Sequence, residues 1–385
     1  MNLPVVFDLL VCEGGKKVGV ATLNKPEALN AIDLEMVQLL FNQLQSWQGD
    51  EDVAMVFIDS QGDKAFCAGG DVVSMHQAMF EQAGSRDKGH QTSLQSIPVP
   101  IETFFTEEYR LDFLIHTYSK PILVWGNGII MGGGLGLMAG ASHRIVTESS
   151  RIAMPEVSIG LYPDVGGTWF LNRMPAGCGL FLGMTGASVS GNDALFVGLA
   201  DHLIHHDKKS EVLNQIRSIE WDHCGAQNAS RLTNMCEQLS AKDITSGSVQ
   251  AHQQLIAELA DYKTVSDYIE ALQAVDVTDD KWLGKAIASI AYGSPITMHL
   301  VFEQLQKGQG LSLAECFQME LTMSCRCATF GEFQEGVRAL LIDKDRSPKW
   351  AFAQVQDVDQ QTIDTFFQSP WKEGQHPLSD LGQSK

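Results

Sequence analysis

Two short runs constrain this chain more than any other feature. Val53-Ala54-Met55-Val56-Phe57-Ile58 and Pro121-Ile122-Leu123-Val124-Trp125 contain no polar side chain. A strand that alternates apolar and polar residues can leave one face in water, but a strand apolar on both faces must be covered on both. The covering layers read as helices. Met36, Leu40, Leu44 and Trp47 recur at spacings of three and four, the stripe of an amphipathic helix. Lys17 to Leu23 reads as a further strand, ended by Asn24-Lys25-Pro26, and 107–118 as a helix. Residues 61–71 are expected to form a loop, Gly126-Asn127-Gly128 to break the second buried strand, and a helix to resume within 132–140. Repeated strand–helix alternation of this kind predicts an α/β architecture.

Beyond about residue 205 the strand signals fade. Residues 209–217, 230–240, 249–272, 282–291, 295–307 and 312–328 all read as helices. Ser294-Pro295 supplies one helix start, and Ser312 with Glu315 has the spacing of a capping box. The expected organisation is an α/β core over 1–205 and a helical region over 206–385 packed on it. A chain of 385 residues is long enough for both. Residues 81–106 carry Gly84, Gly89, Pro98 and Pro100 without any period, and read as an insertion near a site. The sequence contains no internal repeat and no low-complexity tract.

Charge excludes several functions. Acids outnumber bases 47 to 27, for a net charge of −20, against the basic face that nucleic acids or anionic membranes require. No stretch approaches the roughly 20 apolar residues of a membrane span. An anionic ligand would need a locally positive site or one rich in backbone N–H groups. Eight cysteines are scattered, and only Cys325 and Cys327 are close neighbours, a poor zinc signal. No metal site is expected, nor one at His76, His116 or His143, which lack metal or triad spacing. Reduced thiols and an N-terminus without a basic leader segment predict a cytoplasmic protein.

Three glycine-containing segments remain to carry chemistry. The first is Lys64-Ala65-Phe66-Cys67-Ala68-Gly69-Gly70-Asp71. The second is Gly126-Asn127-Gly128-Ile129-Ile130-Met131-Gly132-Gly133-Gly134-Leu135-Gly136. The third runs from Met154-Pro155-Glu156 to Gly160-Leu161-Tyr162-Pro163-Asp164-Val165-Gly166-Gly167. Gly134-x-Gly136-x-x-Ala139 formally fits a dinucleotide fingerprint, but it lies too far beyond its strand. Neither a phosphate-binding loop nor a nucleophile elbow occurs. Glycine at a helix start exposes N–H groups, and two such groups from separate loops can grip a carbonyl oxygen as it becomes an oxyanion. The alternative is close packing of helix on strand.

In this order and spacing, the three segments resemble those of the crotonase (enoyl-CoA hydratase/isomerase) superfamily. The resemblance implies a spiral of ββα units that binds acyl-coenzyme A thioesters. It implies an oxyanion hole formed by the N–H groups of Gly70 and Gly133. Hydratases of that family carry a glutamate just after the triple glycine and another in the Pro-Glu segment. Here Gly136 takes the first position and only Glu156 remains. Asp164 stands where hydratases have a small residue. Together with Phe104-Phe105-Thr106-Glu107-Glu108-Tyr109 and the stretch from Phe333 to Asp345 with Pro348-Lys349-Trp350, it resembles the 3-hydroxyisobutyryl-CoA hydrolase branch.

That branch implies hydrolysis of a hydroxyacyl thioester in valine breakdown. Glu156 would act as nucleophile or general base, and Asp164 would orient water. Glu108 would contact substrate, as would Ala68, while Lys64 would reach the coenzyme A phosphates or remain solvated. Coenzyme A is then part of the substrate, and no cofactor is implied. A homo-oligomer stays open. The rival readings are a hydratase or isomerase of the same fold and a non-catalytic acyl-CoA-binding subunit.

Overall fold

The buried runs do become central strands. In the computed structural model, which describes residues 3–84, 97–242 and 244–383, the strands are β1 (Val5–Val11), β2 (Lys17–Leu23), β3 (Val53–Ser60), β4 (Ala65–Cys67), β5 (Ile122–Gly126), β6 (Ile129–Met131), β7 (His143–Val146), β8 (Arg151–Ala153), β9 (Val189–Ser190) and β10 (His202–Leu203). They form a six-stranded sheet in the order β1-β2-β3-β5-β7-β10 and a four-stranded sheet in the order β4-β6-β8-β9. β1 pairs antiparallel with β2, and the remaining large-sheet pairs are parallel. Each of β3, β5 and β7 is followed directly by a short strand of the other sheet, β4, β6 and β8. This is the ββα spiral of the crotonase fold.

The chain divides into two units. The first comprises Met1–Gly70, Arg110–Ile152 and Val189–Ala251. Its core sets Phe57, Leu123, Trp125 and Ile145 of the large sheet against Val212, Ile216, Leu232, Met235 and Cys236 from the helices Lys209–Ser218 and Gly225–Leu239. Because those helices bury their apolar stripes on the sheet, the chain stays within this unit well past residue 205. The second unit comprises Asp71–Tyr109, Ala153–Ser188 and His252–Lys385 and is mostly helical. Its long helices include Pro295–Lys307 and Leu313–Phe330. Both start as the sequence predicts. Ser294 accepts from the Thr297 N–H, and Ser312 and Glu315 complete their capping box.

Several local expectations fail for identifiable reasons. The loop expected over 61–71 contains β4, three residues long and too short for any period to show. The helix expected over 249–272 is three helices, Ser248–Ala251, Gln253–Leu259 and Val265–Gln273, the last capped by Thr264 accepting from Asp267 N–H. Of the insertion expected over 81–106, the start belongs to helix Val72–Gly84 and the end to helix Val99–His116. Pro100 lies in the first turn of the latter, where no N–H is needed. Residues 85–96 lie outside the described residues.

Candidate active site

The first unit holds the two glycine loops. Cys67 ends β4, and the Ala68 N–H donates to the Leu29 carbonyl while Ile32 N–H donates to the Gly69 carbonyl, at 3.0 and 2.9 Å. Buried Asn30 props the loop from beneath, its amide donating to the Gln61 and Ala65 carbonyls. Nothing in the sequence reading singled out Asn30. Gly69 has φ of 113°, which a residue with a Cβ would resist, and the next residue, half-buried Gly70, forms a parallel bridge with Ile32. Gly133 opens the helix Gly133–Ala139, so its N–H has no carbonyl one turn earlier to bond. Gly134 presses on β4 so closely that a Cβ there would lie 2.4 Å from the Cys67 carbonyl oxygen. The two loops are therefore neighbours, and the close-packing reading holds for Gly134. Lys64 is exposed at the loop's start and Ala68 is half-buried. Gly136, where a hydratase would need its first glutamate, is buried within the helix.

The second unit holds the carboxylates. Glu156 opens a single 3-10 turn, Glu156–Ile159, closed by Gly160 in the left-handed region. That turn is pinned from the C-terminal side. Cβ atoms at Gly160 and Gly336 would lie 2.4 Å from the Glu332 carbonyl and 2.3 Å from Ile159 backbone. Glu332 is buried and accepts from Ser294 Oγ and from the Ala351 N–H. The Phe333–Asp345 stretch that marks the hydrolase branch thus lies directly on the turn presenting Glu156. Asp164 sits between Pro163 and Val165, and Val165 has φ of 50° although it is β-branched. Strain of that kind gathers at sites whose surroundings hold it in place.

Burial makes these acids unusual. Glu108, Glu156 and Asp164 are respectively 3, 5 and 4% exposed, so the solvated reading of Glu108 fails. Glu156 Oε2 has no hydrogen-bond partner among the described residues. A buried carboxylate oxygen without a partner is costly and calls for a chemical reason. Desolvation, then the charge of Asp164, pushes Glu156 well above the usual carboxylate range. Desolvation likewise raises Asp164, to about 6, against the opposing hydrogen bond with the Tyr109 hydroxyl at 2.7 Å. Two carboxyls so placed titrate as a pair.

Sequence reasoning missed the groups around Asp164. Tyr109 lies in the quoted Phe-Phe-Thr-Glu-Glu-Tyr stretch, yet its hydroxyl was given no role. Tyr162, Ser324 and Glu320 complete the surroundings. Glu320 is fully buried and accepts from the N–H groups of Gly166 and Thr168, both at 2.8 Å. Glu320 and Ser324 are four residues apart and so share one helix face, the only signal the sequence offers for them. Among the described residues no group of three or more His, Cys, Asp or Glu side chains is placed to hold a metal ion.

Two sheets linked by repeated strand–strand–helix units define an α/β spiral fold, with the glycine loops in the first unit and the buried carboxylates in the second. The enoyl-CoA hydratase/isomerase family model matches residues 18–367, and the chain belongs to that family. Among curated proteins it is 37% identical over 359 residues to the 3-hydroxyisobutyryl-CoA hydrolase, mitochondrial, of Danio rerio, covering 92% of this chain and 87% of that protein. It is 34% identical to the Homo sapiens protein of the same name, over 91% of this chain and 86% of that one. Among solved structures it resembles a carnitinyl-CoA dehydratase from Mycobacterium thermoresistibile, with a TM-score of 0.82 and 31% identity over 99% of this chain and 100% of that one. An enoyl-CoA hydratase from Rhodobacter sphaeroides gives 0.79 and 31% over 95 and 97%.

The comparison also corrects the expected location. The eight vertebrate relatives of the hydrolase name are all mitochondrial by that name, which overturns the cytoplasmic expectation. The eight cysteines are free and all but Cys224 buried, but free thiols suit any reducing compartment and do not discriminate between them. Among the described residues no helix is long and apolar enough to cross a membrane.

Proposed function

We propose that this protein hydrolyses the thioester of 3-hydroxyisobutyryl-CoA, releasing the hydroxy acid and coenzyme A, a step of valine breakdown. One observation carries the reading. The buried Glu156–Asp164 pair is present, whereas Gly136 leaves the helix after the triple glycine without the second carboxylate a hydratase uses. The hydratase and dehydratase names of the solved relatives fit the shared fold, and the curated relatives' names fit this pair.

The roles follow from chemistry. The Gly70 and Gly133 N–H groups donate to the thioester oxygen as its negative charge develops, a contribution worth roughly 10²–10³ in rate per donor. Glu156 takes a proton from water or attacks the carbonyl itself. Asp164 orients the water and, with Glu108, the substrate hydroxyl. Ala68 lines the acyl path and Lys64 meets a coenzyme A phosphate. The thioester is already activated, so the route invokes no metal or redox group. A 3-hydroxypropionyl thioester has the same hydroxyl and is a second substrate of this reading.

The test compares release of free coenzyme A, detected by mass, from 3-hydroxyisobutyryl-CoA and from crotonyl-CoA. Release from the hydroxy thioester, reduced by roughly 10²–10⁴ in Glu156→Gln, supports the assignment. Hydration of crotonyl-CoA without any free coenzyme A overturns it in favour of the hydratase. Unchanged turnover in Glu156→Gln removes Glu156 from the chemistry.

A further inference from the structure

Four short oxygen–oxygen contacts link Asp164 to the helix Leu313–Phe330. Asp164 Oδ2 lies 2.7 Å from the Tyr109 hydroxyl, which lies 2.7 Å from Ser324 Oγ. Ser324 Oγ lies 2.8 Å from the Tyr162 hydroxyl, and that hydroxyl lies 2.5 Å from the Glu320 carbonyl oxygen. Tyr109, Tyr162 and Ser324 are all fully buried. A contact of this length between two oxygens requires one hydrogen within it. Three hydroxyls supply three hydrogens for four contacts, and the terminal carbonyl supplies none. When Asp164 is ionised, one contact must therefore set two oxygens face to face without a hydrogen. A proton on Asp164 Oδ2 supplies the fourth. Asp164 then donates to Tyr109, Tyr109 to Ser324, Ser324 to Tyr162, and Tyr162 to the Glu320 carbonyl.

We propose that Tyr109, Ser324 and Tyr162 are positioning residues that hold a proton on Asp164 and so leave Glu156 as the anionic member of the pair. The titratable groups that interact with Asp164 from the surrounding elements are Glu156, Glu320, Tyr109, Tyr162 and Cys327. All five are acids, and any charge they carry disfavours a second negative charge on Asp164. A Tyr109 hydroxyl donating to an ionised Asp164 would favour the opposite placement, with the proton on Glu156. The hydrogen count along the chain decides against it.

The catalytic consequence rests on the thioesterase reading. Glu156 removes a proton from water as the water oxygen bonds to the thioester carbon. Glu156 then gives that proton to sulfur as the carbon–sulfur bond breaks, so coenzyme A leaves as the neutral thiol, while the Asp164 proton stays in its bond to Tyr109 and Asp164 remains uncharged beside Glu156. Glu156 is thereby anionic again and ready for the next turnover. Each proton and electron pair is thereby accounted for.

The test is a carbon-13 carboxyl titration of the full-length protein labelled at aspartate, with Asp164 assigned by the resonance lost in Asp164→Asn. Ser324→Ala frees the Tyr109 hydrogen to serve an ionised Asp164, so the Asp164 midpoint falls, by about one pH unit. Tyr162→Phe shortens the chain to two contacts with two hydrogens and lowers the midpoint likewise. If Tyr109 simply donates to Asp164 with Ser324 buttressing it, both variants shift the midpoint upward or leave it alone. That result overturns the proposal. No substrate enters these titrations, so they stand apart from the outcome of the thioester assay.

Discussion

At the scale of single residues, the site is defined by what burial does to acids. Glu156 and Asp164 would be ordinary surface carboxylates elsewhere. Here desolvation lifts both, and the charge of Asp164 lifts Glu156 further. The pair loses its first proton and then its second above the usual carboxylate range near 4. If one proton must be present and one absent, kcat/KM rises with pH through the first loss and falls through the second. The rising limb is expected at about 6, and a profile already level at pH 4.5 would contradict the elevated pair. The acids themselves were legible because they stand in motifs of fixed spacing. Tyr109 and Ser324 were not, because a hydroxyl's role depends on what faces it across the fold, and 215 positions separate these two.

At the scale of elements, short turns are fixed by close backbone approach. The helix Gly133–Ala139 meets β4 through Gly134, and the Glu156 turn meets the C-terminal segment through Gly160 and Gly336. Gly134→Ala would put its Cβ 2.4 Å from the Cys67 carbonyl oxygen. The backbone must shift, with a loss of roughly 1–3 kcal/mol of stability and with Gly133 displaced. Both a lowered chemical denaturation midpoint and lower turnover are expected. A variant of full stability and activity would mean that the loops have room to spare. Glu320 acts at the same scale by accepting from the N–H groups of Gly166, the N-cap, and of Thr168 at the start of the helix Gly167–Leu171. Glu320→Gln turns one acceptor oxygen into a donor that meets an N–H group. Denaturation curves should show a loss of about 1–3 kcal/mol at pH 6.

At the scale of the whole molecule, buried ionisable groups shape the pH dependence of stability. Desolvation raises Glu320 to about 8, and Asp164 and Glu156 are raised as well. A carboxyl with a raised folded-state pKa favours folding fully below its unfolded value, and that advantage is lost as pH climbs through the folded value. Buried His143 and half-buried His202 and His299 are shifted downward by desolvation and act oppositely below about pH 6.5. Above pH 7 they are neutral in both states; the raised carboxyls remain, and the buried cysteines, also raised by desolvation, act in the same direction as unfolded thiols begin to ionise. The melting temperature should therefore fall between pH 7 and 8.5, and Glu320→Gln should flatten that decline. A melting temperature that rises over this interval would rule out the raised carboxyls. The sequence by itself determined the α/β class, the covered strands, the capped helices and the glycine and acid motifs. Each is set by periodicity or by residues adjacent in the chain. Tertiary structure alone decided the three-residue strands, the helices after residue 205 that complete the first unit's core, and the hydroxyl chain on Asp164. Those depend on contacts between residues far apart in sequence, and no local pattern encodes which partner a buried polar group will meet.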